Sequence, residues 1–177
     1  MHIVGDIWRL RRPRDYVVVP TNIGWTREGR NPMGRGLAWQ AARSYVDLPL
    51  WYGALCAQHK AALPVCSHDP YRLILFPTKP LNTRNPAMSW QNNSTLELVR
   101  KGRVELVQLL PSLRLNGGRV LLPAVGCGEG GLNPKTVVPE LMELSEYHPE
   151  IQLVLDAETA MAAGLATVTP LDQSCGS

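Results

Sequence analysis

The chain has 177 residues, 45% hydrophobic and 19% charged, with 18 Lys/Arg against 15 Asp/Glu. At about 150 residues per domain this is one globular domain with a core of its own, which excludes intrinsic disorder. No run of about 18 apolar residues occurs, which excludes a transmembrane helix, and a net charge of +3 suits a phosphorylated ligand without by itself arguing for nucleic acid.

The opening MHIVGDIWRLRRPR has no long apolar stretch after its charges and does not read as a secretory signal. A short strand is predicted at His2–Val4, ended by Gly5-Asp6. Arg9, Arg11, Arg12 and Arg14 follow as a solvated loop, with nucleic-acid contact as the alternative. Tyr16–Val19 is β-branched without polar alternation, as in a strand covered on both faces. Helices are predicted over Gly36–Tyr45 and over Leu50–Lys60, the second begun by Pro49. A strand follows at Leu73–Phe76. Ser94 and Glu97 have capping-box spacing, and Leu96, Val99, Val104, Val107 and Leu110 continue a helix that Gly102 weakens. After the turn Asn116-Gly117-Gly118 comes a strand at Val120–Leu122. Pro134 opens a helix carrying Val137, Val138, Leu141 and Leu144, with Pro139 near its first turn, and Ile151–Leu155 is the last strand. Trp39 and Trp51 fall in helical patterns and are read as core, whereas Trp25 and Trp90 lie in loops, as candidates for stacking on a substrate. From Ala166 the chain reads as a loose end.

Strands separated by helices imply right-handed crossovers and an α/β fold with a mostly parallel sheet, whose ligands sit beyond the strand C-terminal ends. Two of those ends lead into strand–glycine loop–helix units, Met33-Gly34-Arg35-Gly36-Leu37 and Gly126-Cys127-Gly128-Glu129-Gly130-Gly131-Leu132. Glycine lets backbone N–H groups approach a ligand, and the following helix N-terminus favours an anion. Two such loops suggest a pyrophosphate; neither is a GxxxxGK[ST] loop or a dinucleotide fingerprint. Lys79 ends the middle strand. It is either a counter-charge or a nucleophile or acid–base group; unperturbed, about 1 in 2,500 such amines is free at pH 7. Asp6 could accept from an exocyclic amine or cap a turn, and Asn22 could orient a ribose hydroxyl or form a turn. Cys56, Cys66, Cys127 and Cys175 have neither metal-ligand nor disulfide-framework spacing, which points to a reducing, cytoplasmic setting with no metal or cofactor.

Gly5-Asp6-Ile7, a strand ending in Asn22, the loop MGRGLA, Phe76-Pro77-Thr78-Lys79, Trp90, Ser94-Thr95-Leu96-Glu97 and PAVGCGEGGL together resemble a macrodomain, the ADP-ribose-binding fold, over about residues 1–157. The resemblance is to the branch holding terminal ADP-ribose protein glycohydrolase and the antitoxins that remove ADP-ribose from thymidine in DNA. It implies a three-layer α/β/α sandwich with a mostly parallel central mixed sheet, a macrodomain over 1–165 and a tail over 166–177. It implies an ADP-ribosyl hydrolase acting at C1″ of the distal ribose, on ADP-ribose carried by a DNA base or a protein. Lys79 would be catalytic and Asn22 would position the ribose. Asp6 would hold the adenine amine beside Ile7. Gly34, Arg35, Gly36 and Leu37 would follow the distal ribose and phosphate, and Gly126, Cys127, Gly128, Glu129, Gly130, Gly131 and Leu132 would wrap the pyrophosphate. A monomer with a cognate ADP-ribosyltransferase as functional counterpart, and no membrane partner, completes the expectation. A non-catalytic binder of ADP-ribose or a signalling nucleotide, and an ADP-ribose 1″-phosphate phosphatase, are the alternatives. Segments 25–32 and 80–89 are insertions relative to the antitoxins. The usual second-loop acidic residue aligns with Gly130, one position after Glu129, and the usual adenine-stacking aromatic is replaced near Leu155.

Overall fold

A computed structural model describes residues 2–165; the predicted tail, with Cys175, lies outside them. Strands β1 (His2–Val4), β2 (Tyr16–Asn22), β3 (Cys66–His68), β4 (Leu73–Lys79), β5 (Val120–Leu122) and β6 (Ile151–Leu155) form one sheet in the order β1-β6-β5-β2-β4-β3. Every pairing is parallel except β3 on β4, so the sheet is mixed and mostly parallel, as expected. The edge strand β3 has no strong apolar pattern and was not legible in the sequence; it forms because β4 offers it an antiparallel ladder.

Alternation along β2 explains the layers. Tyr16 and Val18 face one apolar cluster and Val17 and Val19 the other, all fully buried. On the first face lie α4 (Leu96–Leu109), α5 (Pro134–Tyr147) and α6 (Ala157–Ala162); on the second lie α1 (Ile7–Leu10), α2 (Gly36–Ser44) and α3 (Leu48–His59). The result is the three-layer α/β/α sandwich of a macrodomain. No described helix is long and apolar enough to cross a membrane.

Four local expectations change. The N-cap of α4 is Thr95, whose hydroxyl accepts from the Leu98 N–H at 3.2 Å, and Ser94 is instead buried one residue earlier. Pro139 is interior to α5, where its missing N–H is tolerated on an exposed face. Trp39 is 44% exposed and lies under the Arg43 guanidinium at 4.8 Å, because its side of α2 turns from the core. Gly102 does not weaken α4 so much as seat it: a Cβ there would stand 2.3 Å from the Phe76 ring, so only glycine lets the helix close on β4.

Candidate functional site

The site follows from unequal strand lengths. β5 stops at Leu122 and pairs with β2 only through Tyr16 and Val17, whereas β2 and β4 run on to Asn22 and Lys79. The far half of β2 therefore has no neighbour on its β5 side, and a cleft opens there. Pro20 and Pro123 line it, residues that have no N–H to leave unpaired. The cleft has a volume of about 300 Å³. It reaches from the ends of β1 and β6 to the end of β4, four strand spacings or about 19 Å.

At the β1/β6 end lie Gly5, Asp6, Ile7, Trp8, Val154 and Asp156. Asp6 caps α1: one carboxylate oxygen accepts from the Trp8 N–H at 2.8 Å and the Arg9 N–H at 3.2 Å. The turn-capping alternative thus holds, and the same carboxyl still lines the cleft. In the middle the two glycine loops face each other. Gly34, Arg35, Gly36 and Leu37 come from one, Gly126, Gly128, Glu129 and Gly130 from the other. Arg35 and Glu129 join them across the mouth at 3.3 Å, both side chains more than half exposed. Cys127, Gly131 and Leu132, also expected here, lie off the cleft wall. Cys127 and Leu132 pack into the core beneath, and Gly131 donates its N–H to the Gly128 carbonyl at 3.0 Å to close the turn. Burial pushes the Cys127 thiol up to about 11, so it stays protonated and is no nucleophile at neutral pH.

At the β4 end lie Asn22, Thr78, Lys79, Trp90 and Ser94. The Asn22 side chain is held on both sides: its oxygen accepts from the Gly24 N–H at 2.8 Å and its nitrogen donates to the Pro32 carbonyl at 3.1 Å. Asn31 donates to the Asn22 carbonyl at 3.0 Å and to the Gly24 carbonyl at 2.7 Å. The first insertion is thereby stitched to β2. Lys79 Nζ donates to the Trp90 carbonyl at 2.9 Å, which holds the residue that follows the second insertion against the end of β4. Burial lowers the Lys79 amine below the ordinary lysine value; Glu129 opposes that shift and Arg35 reinforces it. The Arg35 guanidinium lies 5.8 Å from the Trp90 ring centre, a cation–π contact on the rim. Sequence reasoning missed Trp8, Thr78 and Ser94 as wall residues. Trp8 and Thr78 each adjoin a residue it did single out, which was the available signal.

No family model matches the chain. The DNA ADP-ribosyl glycohydrolase of Mycobacterium bovis is 25% identical over 130 residues, 70% of this chain and 34% of that protein, so the chain spans about a third of that relative's length. The macrodomain of Mycobacterium tuberculosis DarG superposes with a TM-score of 0.68 at 24% identity, over 88% of this chain and 97% of that one. A Thermosipho africanus DarTG solved in complex with ADP-ribose superposes with a TM-score of 0.61 at 23% identity, over 87% of this chain and 40% of that one. The chain therefore has the macrodomain fold and resembles in architecture the macrodomain of DarG, while its similarity in sequence is to a DNA ADP-ribosyl glycohydrolase.

Proposed function

We propose that the chain binds ADP-ribose and hydrolyses the bond between C1″ of the distal ribose and an ADP-ribosylated target, a DNA base in the first instance. The observation that carries this reading is the depressed amine of Lys79 at one end of a cleft about 19 Å long, with Asp6 at the other and two glycine loops between. That length suits an adenosine at β1/β6, a diphosphate between the loops and a distal ribose at β4. Similarity to a DNA ADP-ribosyl glycohydrolase and to a DarTG in complex with ADP-ribose supports the same reading.

The chemistry asks little of the protein beyond a free amine at C1″. The Lys79 amine forms a bond to C1″ as the bond from C1″ to the leaving group breaks, and the leaving group takes a proton. Water then attacks the adduct, releasing ADP-ribose and restoring the lysine. Glu129, whose charge acts on Lys79, would accept the proton that the amine loses and pass it to the leaving group. Asn22, already locked by its two turn contacts, gives the distal ribose a rigid edge. The target base would leave past Trp90 and Arg35 at the rim. The cognate transferase, a monomeric state and a cytoplasmic setting belong to this same proposal, as does one macrodomain over 1–165.

Lys79→Ala tests it. Turnover of ADP-ribosylated DNA should fall by at least about a thousandfold, as expected for loss of a nucleophile, while the calorimetric affinity for ADP-ribose stays within a few fold. Turnover that survives the change overturns the lysine role. In the wild type the rate should rise with pH toward a midpoint below the ordinary lysine value of about 10.4. A purely cationic lysine would give a rate that falls over the same range.

One observation favours the binding-module reading. The Lys79 amine donates to the Trp90 carbonyl and the Glu129 carboxylate pairs with Arg35, so both groups have partners within the protein without any ligand. Tight ADP-ribose binding without turnover on DNA or protein substrates would select that reading.

A further inference from the structure

Ser94 is 5% exposed, and its hydroxyl has no hydrogen-bond partner among the described residues. It is not a helix cap, since Thr95 takes that role. It lines the cleft. Its position is fixed by the backbone on two sides. The Ser94 N–H donates to the Gly130 carbonyl at 2.9 Å, and the next residue, Thr95, donates its N–H to the Thr78 carbonyl at 3.0 Å. Ser94 thus bridges the end of β4 and the second glycine loop. The loop packs tightly against it: a Cβ at Gly130 would stand 2.2 Å from the Ser94 hydroxyl oxygen, so only glycine fits there. A buried hydroxyl without a partner destabilises the fold, and such groups in native proteins have a reason.

We propose that the Ser94 hydroxyl is a ligand donor, directed to an oxygen of the diphosphate group nearer Lys79, the one that carries the distal sugar. This rests on the preceding functional reading and adds a contact from outside the two glycine loops. The location decides which phosphate: Ser94 lies on the Thr78–Lys79 side of the loop, away from Asp6 and the β1/β6 end. A nucleoside monophosphate seated at the β1/β6 end does not reach it.

The test is calorimetric titration of wild type and Ser94→Ala with AMP, ADP and ADP-ribose, with thermal denaturation of the free proteins. The variant should bind ADP and ADP-ribose about tenfold more weakly, the effect of one hydrogen bond to a charged group, and AMP equally well. Its Tm without ligand should hold or rise, because an unpartnered buried hydroxyl has been removed. Ser94→Cys, similar in size but a poor donor, should follow the alanine variant. Unchanged affinity for ADP and ADP-ribose overturns the proposal alone. Equal losses for all three ligands with a lower Tm also overturn it, since that marks a structural role. A wild type that fails to bind ADP-ribose overturns the functional reading and this contact with it.

Discussion

Lys79 donates one hydrogen bond to the Trp90 carbonyl, and its proton affinity is set by burial, with two charges on the rim pulling in opposite directions. Glu129 stabilises the ammonium and Arg35 destabilises it. Glu129→Gln should therefore move the midpoint of the pH–rate profile to lower pH, and Arg35→Ala should move it to higher pH. Each displacement should stay below about one pH unit, because both groups are exposed and screened by salt. Equal displacements in the same direction would show that the two act only as a pair. Gly130 is the second residue on which the site depends. A methyl group there meets the Ser94 hydroxyl and, at 2.4 Å, the Gly126 carbonyl, both of which are fixed. Gly130→Ala should cost about 1–3 kcal/mol of stability and weaken ADP-ribose binding at least tenfold, measured by denaturant titration and calorimetry.

At the scale of elements, two insertions flank the β4 side of the site, where Pro32 of the first and Trp90, the residue after the second, line the cleft. Asn31 joins the first to β2, and Lys79 holds Trp90 to the end of β4. The first is also pressed onto α3. A Cβ at Gly53 would lie 2.1 Å from the Gly29 carbonyl and 2.6 Å from the Asn31 N–H, so glycine is what allows helix and insertion to touch. Gly53→Ala should lower Tm, with a cost of about 1–3 kcal/mol. It should also weaken ligand binding at a distance, because Asn31 can no longer hold the turn that positions Asn22. A variant with lowered Tm and wild-type affinity would show that the insertion is only a structural rim.

At the scale of the molecule, the N-terminal ends of β2 and β5 are joined by a buried carboxylate. Asp15, 1% exposed, accepts from the Arg119 guanidinium at 2.8 Å, the Arg119 N–H at 2.8 Å and the Arg12 N–H at 3.0 Å. Burial alone would raise its pKa, but the bonds from Arg119 and Arg12 outweigh burial and hold the carboxyl below the ordinary value. A carboxyl depressed in the folded state adds stability that is present above its unfolded value, about 3.9. That stability is lost as pH falls through the lower folded value. Asp15→Asn should therefore cost about 2–4 kcal/mol at pH 7, and the gap to wild type in urea titrations should close in acid. A gap that persists at pH 2 would assign the effect to packing.

Much of this was legible in the sequence. β5 and β6 fall where their apolar runs end, and β2 and β4 were visible in their apolar halves, because periodicity and burial on both faces are local properties. The apolar pattern by itself stops at Val19 and Phe76; the polar extensions Thr21-Asn22 and Thr78-Lys79, which the resemblance and the strand-end reading reached, also lie in strand. They pair because each has the other as its neighbour. The glycine loops, Asp6 and Lys79 were also legible, since residue type at a strand end is written in the chain. The hydroxyl of Ser94 was assigned to the cap by spacing, and one residue of shift made it a wall of the cleft. Trp39 has a core residue's composition and a rim residue's place, since the face of a short helix depends on what it packs against.

The sequence by itself determined the alternation of strands and helices, the two glycine loops and the residues that carry charge into the cleft, because these depend on local backbone preference and side-chain chemistry. Only the tertiary structure decided that β5 ends early and leaves a cleft, that Lys79 is half-buried against Trp90, and that Ser94 rather than Cys127 lines the cleft. Those outcomes depend on strand neighbours and on close contacts between segments far apart in the chain, where a difference of one residue in register changes which atoms meet.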